Sequence, residues 1–195
     1  MKTKFNSLLP ATAALVAGVL FTAGCQSEKA DRNVVTVAPA TAVASAPDIA
    51  AAPAVKPALK FVSVDSAETA GENGAGANAV DGNPDTFWHT QWQDATPECP
   101  HEIIIELMPA TTIKGFTYLP RQDDNDHGFI KGYEFFTSDD GQNFSAPVAK
   151  GEFDGSKELK SVTFAPTACR FIKLKAVSEI NGEAWTSVAE IGVVQ

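Results

Sequence analysis

The densest run of residues able to do chemistry is Ala79–Trp92, reading Ala-Val-Asp-Gly-Asn-Pro-Asp-Thr-Phe-Trp-His-Thr-Gln-Trp. Its first half, Asp81-Gly82-Asn83-Pro84-Asp85-Thr86, has the makings of a turn, since Gly82 takes positive φ at no steric cost and Pro84 fixes the chain direction. Carboxylates, a hydroxyl and carbonyls crowded into a tight loop are hard oxygen ligands, and calcium takes about 6–8 of them. Phe87 and Trp88 follow as an apolar plug. His89 and Trp92 then offer a polar tip and an aromatic plate. Alone, Asp-Gly-Asn is ordinary turn chemistry and the tryptophans are ordinary core. The rest of the chain changes that reading.

These residues need a scaffold, and the sequence points to a β-scaffold. Beyond the N-terminus no stretch holds a 3.6-residue apolar period, whereas strand patterns are frequent. Phe61–Asp65 alternates; Ile103, Ile105 and Leu107 share one face against Glu102 and Glu106; Ile113–Leu119 and Ile130–Ser138 are rich in aromatic and β-branched residues. Val162 and Phe164, then Ile172, Leu174 and Ala176, alternate with polar neighbours, and Val188–Val194 closes the chain. Asp139-Asp140-Gly141 reads as a hairpin turn. Short strands at regular spacing with Gly, Asp, Asn and Pro turns predict an all-β sandwich. Three segments do not read as strands: Ala67–Trp92, Arg121–Phe129 and Ser178–Ser187. Long loops on a rigid sandwich are where binding sites usually sit. In the second, Asp123, Asn125, Gly128, Ile130 and Glu134 approach EF-hand spacing, but His127 breaks the ligand pattern and the flanks are not helical.

The N-terminus is of another kind. Met1-Lys2-Thr3-Lys4 is a basic start, an apolar run follows to Ala23, and Thr22-Ala23-Gly24-Cys25 ends it, the layout of a secretory signal peptide over 1–24. Ala23-Gly24-Cys25 resembles a bacterial lipobox, which implies lipidation of Cys25, with Thr22 standing where Leu is usual. Gln26 after the cysteine then implies the outer membrane of a Gram-negative bacterium. Residues 25–57, dominated by Ala, Pro, Val and Ser without an aromatic, lack the apolar surface to offset chain entropy and are expected to be a disordered, Pro-stiffened tether. Residues 58–195 have the length of one domain. The net charge of −9 and the lack of a basic stripe argue against nucleic acid as a partner and against docking on anionic lipid. The membrane would be reached through the lipid anchor alone. Cys99 and Cys169 form an even pair in an exported domain, which invites a disulfide if their Cα atoms come within about 7 Å.

Taken in order, Ala79–Thr90, Pro100–Ile103, Tyr118-Leu119-Pro120-Arg121-Gln122, Tyr133-Glu134-Phe135 with Ser138–Gly141, Cys169–Leu174 and Ala189-Glu190-Ile191 resemble the discoidin, or coagulation factor 5/8 type C, superfamily. Within it they are most similar to family-32 carbohydrate-binding modules. The resemblance implies a jelly-roll, galactose-binding-like β-sandwich with a structural Ca2+. Side-chain ligands fall on Asp81, Thr86 and Glu190, and carbonyl ligands on Asn78, Asn83, Thr86 and Ala189. The ion would fasten the first loop to the chain end. The resemblance further implies binding of galactose-type sugars through Glu72, His89, Trp92 and Arg121. Trp185 would be a second plate, and a further acidic position falls near Asp126 or His127. A hexose stacks its C–H face on an aromatic ring and gives its hydroxyls to charged or planar partners. The expected function is non-catalytic glycan binding. The alternatives are adhesion to protein or membrane, for which Phe129 is the one apolar loop-tip candidate, and service as an accessory module in a glycoside hydrolase system.

Overall fold

The computed structural model describes residues 56–195. The expected signal peptide, the lipidation site Cys25 and the tether up to residue 55 lie outside the described residues.

Alternating apolar and polar side chains put the described chain into eight strands: β1 Ala58–Val64, β2 Trp88–His89, β3 His101–Leu119, β4 Ile130–Ser138, β5 Ala149–Glu152, β6 Lys160–Glu179, β7 Ser187–Val188 and β8 Glu190–Val194. A single 3-10 turn covers Gly76–Val80. Hydrogen bonding runs β1-β3-β6-β4-β5, with β8 added against β3, and β2 pairs with β7 in a ladder of its own. The all-β sandwich expected from the sequence is what forms.

Two pairs of runs that read as separate strands are each continuous. Glu102–Leu107 and Ile113–Leu119 both belong to β3, and Val162–Phe164 and Arg170–Val177 both belong to β6. These two long strands pair from His101↔Ala176 to Tyr118↔Lys160, with register shifts between Glu106 and Thr111 and between Ile113 and Gly115. Such irregularities bend a strand and increase its twist. The first half of β3 therefore lies beside β1 and the second beside β8. The short β5, with one apolar residue among Ala149-Lys150-Gly151-Glu152, carries no strand signal and is held by pairing with β4.

Ile103, Ile105 and Leu107 from one half of β3, Ile113, Phe116 and Tyr118 from the other, and Phe135, Ile172, Leu174 and Ile191 build the core. Phe116 stacks on Phe135 with centroids 4.1 Å apart. Each such side chain contributes about 1.5–3 kcal/mol on full burial. Trp88 belongs to this core, and its indole N–H donates to the Ser66 carbonyl at 2.8 Å.

The expected Cys99–Cys169 disulfide is corrected: both thiols are free. Cys99 precedes the start of β3, whereas Cys169 pairs with Thr111 far along it. At about 3.3 Å per residue this puts them about 30 Å apart along the sheet, well beyond bridging range. Cys169 is instead an apolar core residue, and burial pushes its thiol up to about 11.

The loops at one end of the sandwich are laced together. His89 pairs with Ser187 across β2 and β7, and Ser187 N–H donates to the Gly128 carbonyl at 2.7 Å. Gly128 has φ +85°, and a Cβ there would lie 2.6 Å from the Ser187 nitrogen, so only glycine fits. Tyr118 Oη donates to the Ser187 carbonyl and accepts from Ile130 N–H. All three candidate loops thus meet in one hydrogen-bonded cluster. Phe129, expected as an exposed apolar tip, is 2% exposed and packs inside it.

Candidate functional site

The first loop is organised by Glu68, a residue the sequence reading passed over. Its carboxylate is wholly shielded and accepts four backbone N–H groups: Ala70 and Gly71 on one oxygen at 2.7 and 2.8 Å, Trp92 and Gln93 on the other at 2.8 and 2.9 Å. The Trp92, Gly71 and Gln93 amides, in that order of effect, hold the carboxyl down to about 2. Backbone bonds Glu68 N–H to His89 O at 2.8 Å and His89 N–H to Gly74 O at 3.1 Å pin both ends of the loop to β2. Glu72 sits between these pins. Gly71 lies under the Trp92 indole, where a Cβ would come within 2.5 Å of the ring, so glycine lets the plate lie flat on the loop.

Glu72, His89, Trp92, Arg121, Asn125, His127 and Trp185 line one cavity of about 220 Å³. That is smaller than the roughly 300–1,000 Å³ of pockets for drug-sized ligands and suits a single small ring. The geometry brings Glu72, His89, Trp92, Arg121 and Trp185 together; of the two positions named for a further contact, His127 lines the cavity beside Asn125, while the side chain of Asp126 is exposed outside the lining. Trp92 is 39% exposed, and its Nε1–H donates to Glu72 Oε1 at 2.9 Å. Trp185 stacks on His127, with centroids 5.0 Å apart.

His89 is 3% exposed, with Nδ1 2.6 Å from the Thr90 carbonyl. That contact requires the proton on Nδ1 and leaves Nε2 as an acceptor. Burial, with help from the Arg121 charge, lowers the pKa of His89, so the ring stays neutral. Arg121 is held on two sides. Its Nε and Nη2 donate to the Asp123 carboxylate at 2.7 and 2.5 Å, and its guanidinium lies 4.2 Å from the Phe87 ring centroid. Nη1 takes no part in that pairing. Neither Asp123 nor Phe87 is legible as a site residue; both act by fixing Arg121. The EF-hand-like spacing dissolves here, since Asp123 serves Arg121 and Glu134 pairs with Lys175 on β6.

At the start of β3, His101 is fully buried, with Nδ1 2.7 Å from Asp65 and Nε2 2.8 Å from the Ala184 carbonyl. Two acceptors on two ring nitrogens call for the imidazolium. Burial opposes the charge, but Asp65 and the carbonyls outweigh it and raise the pKa. Ala184 precedes Trp185, so this bond holds the chain beside the Trp185 indole.

In the oxygen-rich turn, Asp81 accepts from Asn83 N–H at 2.8 Å and Thr86 Oγ1–H at 2.7 Å, while Thr86 Oγ1 also lies 2.9 Å from the Asn83 carbonyl. The Asn78 amide donates to the carbonyls of Asn73 and Phe87 at 2.8 and 3.0 Å, which shapes the approach to the turn. Ala189 is buried and donates its N–H to the Leu119 carbonyl. Glu190, opposite Leu119 on β8, has a buried Oε1 without a hydrogen-bond partner. Burial raises its pKa, the Gly82 N–H opposes, and the Asp81 carboxylate raises it further. No cluster of three or more His, Cys, Asp or Glu side chains set to hold a metal occurs among the described residues.

The sequence pattern of the F5/8 type C domain matches residues 63–191. A galactose oxidase of Gibberella zeae is 40% identical over 135 residues, spanning 69% of this chain but 19% of that enzyme. Among solved structures, a carbohydrate-binding module of Clostridium perfringens in complex with GalNAc-beta-1,3-galactose is 34% identical with a TM-score of 0.64, covering 70% of this chain and 95% of the module. A family-32 module of the same organism, in complex with galactose, is 27% identical with a TM-score of 0.61, covering 71% and 97%.

Proposed function

The chain belongs to the F5/8 type C domain family, and from that premise we propose that its described domain binds carbohydrate without catalysis, taking a galactose-type sugar in the pocket of Trp92 and Arg121. The observation that carries this reading is the convergence of Glu72, His89, Trp92, Arg121 and Trp185, drawn from three separated loops, on one cavity. The sugars held by the two clostridial modules support the ligand class. The half-exposed Trp92 face takes the C–H face of a pyranose, Arg121 Nη1 donates to hydroxyl oxygens, and His89 Nε2 and Glu72 accept hydroxyl protons. Hydrolysis by paired carboxylates needs two of them astride the bond; Glu72 is the one carboxylate in this lining. Small sugars bury little apolar area and lose hydration, so a single site should bind near millimolar, about −4 kcal/mol.

A structural Ca2+ fits the oxygen-rich turn. Asp81, Thr86 and Glu190 would supply side-chain oxygens, with carbonyls of Asn78, Asn83, Thr86 and Ala189. The orphaned Glu190 Oε1 beside a second carboxylate is the arrangement a cation would satisfy. Bound there, the ion would neutralise the pair and tie the first loop to β8. For the whole chain, Cys25 as a lipid anchor, the tether as a spacer and the outer membrane as the location complete the reading. Display of many copies on a surface would raise avidity without new contacts.

Titration of galactose by NMR into wild type, Trp92→Ala and Arg121→Ala tests the pocket. Wild type should bind near millimolar and both variants at least about tenfold more weakly, the loss of about 1.4 kcal/mol. Equal binding by all three would place the sugar elsewhere. Membrane fractionation of full-length protein and Cys25→Ser tests the anchor: equal membrane association would reject it.

A further inference from the structure

We propose that the pocket sorts hexoses by charge, Glu72 making it favour a sugar with a free protonated amine over its neutral parent and turn away uronic acids. The inference rests on the pocket being the sugar site. It starts from an imbalance. Glu72 has one polar partner close by, the neutral Trp92 Nε1–H. The nearest group able to carry positive charge is His89 Nδ1, at 4.0 Å. That nitrogen already gives its proton to the Thr90 carbonyl, and burial keeps the ring neutral. The carboxylate on the pocket wall is therefore without a counter-charge.

Arg121 corrects this only in part, because two hydrogen bonds tie its guanidinium to the opposite charge of Asp123. On the same loop, Asp124 and Asp126 flank Asn125 with exposed side chains. Lys157 reaches the Asp123 carbonyl and returns one positive charge to this rim. His127, in the same lining, faces Glu183 at 3.2 Å. The balance at the mouth is negative, as it is for the chain.

An ammonium group on a hexose carries three donors and a full charge. Set against Glu72 and the His89 Nε2 acceptor, it adds an opposite charge to the bond that a hydroxyl would make with the carboxylate, and so turns that bond into an ion pair. Glu72 is 29% exposed, so water screens part of the gain. The expected preference is about two- to fivefold, the range of partly exposed ion pairs. Acetylation of the amine removes the charge and with it the preference. A uronate brings a second carboxylate to the unpaired one and binds worse than the neutral sugar.

The test is titration of galactose, galactosamine, N-acetylgalactosamine and galacturonate into the full chain, at low and high salt, at a pH where the amine is protonated and His89 neutral. Galactosamine should bind about two- to fivefold tighter than galactose, with the margin shrinking in salt, and galacturonate should bind weakest. In Glu72→Gln, which keeps an acceptor for Trp92 Nε1, the ratio of galactosamine to galactose affinity should fall towards one. Galactose binding without tighter, salt-sensitive galactosamine binding in wild type overturns this inference alone. So does a ratio unchanged in Glu72→Gln. If no sugar binds, the reading of the pocket falls and takes this inference with it.

Discussion

Replacing Glu190 by glutamine alters one charge where two carboxylates face each other across a turn. In the protein without a cation, Oε1 of Glu190 is buried without a partner and Asp81 is close enough to raise its pKa. An orphaned buried polar atom costs about 1–3 kcal/mol. Glu190 is only partly buried, so the net relief on neutralising it should be no more than about 1 kcal/mol. In chelator, then, Glu190→Gln should melt at or slightly above wild type. In calcium the order should reverse. At a hundredfold excess over Kd, wild type gains about 2.7 kcal/mol, roughly 5–10 °C for a domain of this size, while the variant gains little. The pH dependence carries its own sign. A carboxyl with a raised folded pKa destabilises the fold while charged, so the advantage of the variant in chelator is largest near neutrality. It should vanish as pH falls below the ordinary glutamate value of 4.5. Differential scanning fluorimetry of both proteins across calcium, chelator and pH reads all three effects. A wild-type melt unmoved by chelation, or a variant destabilised equally in calcium and chelator, would refute the reasoning.

Other expectations follow from single contacts. Glu68 has a folded pKa of about 2 against 4.5, so its stabilisation is complete above 4.5 and lost as pH falls towards 2. Glu68→Gln should lower the melting temperature at neutral pH and converge with wild type in acid; a constant offset would contradict this. Asp123→Ala should leave the fold intact but weaken galactose binding about five- to tenfold, as Arg121 loses the charge-assisted bonds that orient it; unchanged affinity would show that Phe87 suffices. His101 has a raised pKa, so its contribution is full below 6.5 and lost as pH rises through the folded value. A melting series in which His101→Gln and wild type run parallel above 6.5 would remove its imidazolium role. Thiol titration of the unfolded, unreduced protein should find Cys99 and Cys169 both reactive, and finding neither would restore the disulfide.

The strands were legible because alternation is a local signal: Ile103, Ile105 and Leu107 announce a buried face whatever they pack against. The continuity of β3 through Met108-Pro109-Ala110 was not, because those residues carry no strand pattern and are held by the neighbouring ladders. The same division runs through the site. Trp92, His89 and Arg121 stood out by residue type within loops that the strand pattern left over. Asp123, two residues beyond Arg121 in an acidic run, could not be told from Asp124 or Asp126, since only the folded loop turns it back onto the guanidinium.

The first loop shows why further reading of the sequence could not have recovered the rest. Glu68 and Glu72 lie on one polar, glycine-bearing stretch, chemically identical and four positions apart. What separates them is the path of a distant segment. Trp92 and Gln93 come back over the loop and bring their N–H groups to Glu68, which sinks and is satisfied, while the Trp92 indole lies across Gly71 and leaves Glu72 at the pocket wall. Once Glu68 has taken those amides, Glu72 keeps only an indole N–H. One carboxylate is thus spent on holding the loop, and its neighbour is left in the lining of the pocket. Because the Trp92 amide goes to one and its ring to the other, loss of Glu68 should disturb the proposed sugar pocket as well as the fold. A Glu68→Gln protein that is less stable yet binds galactose as wild type does would break that link.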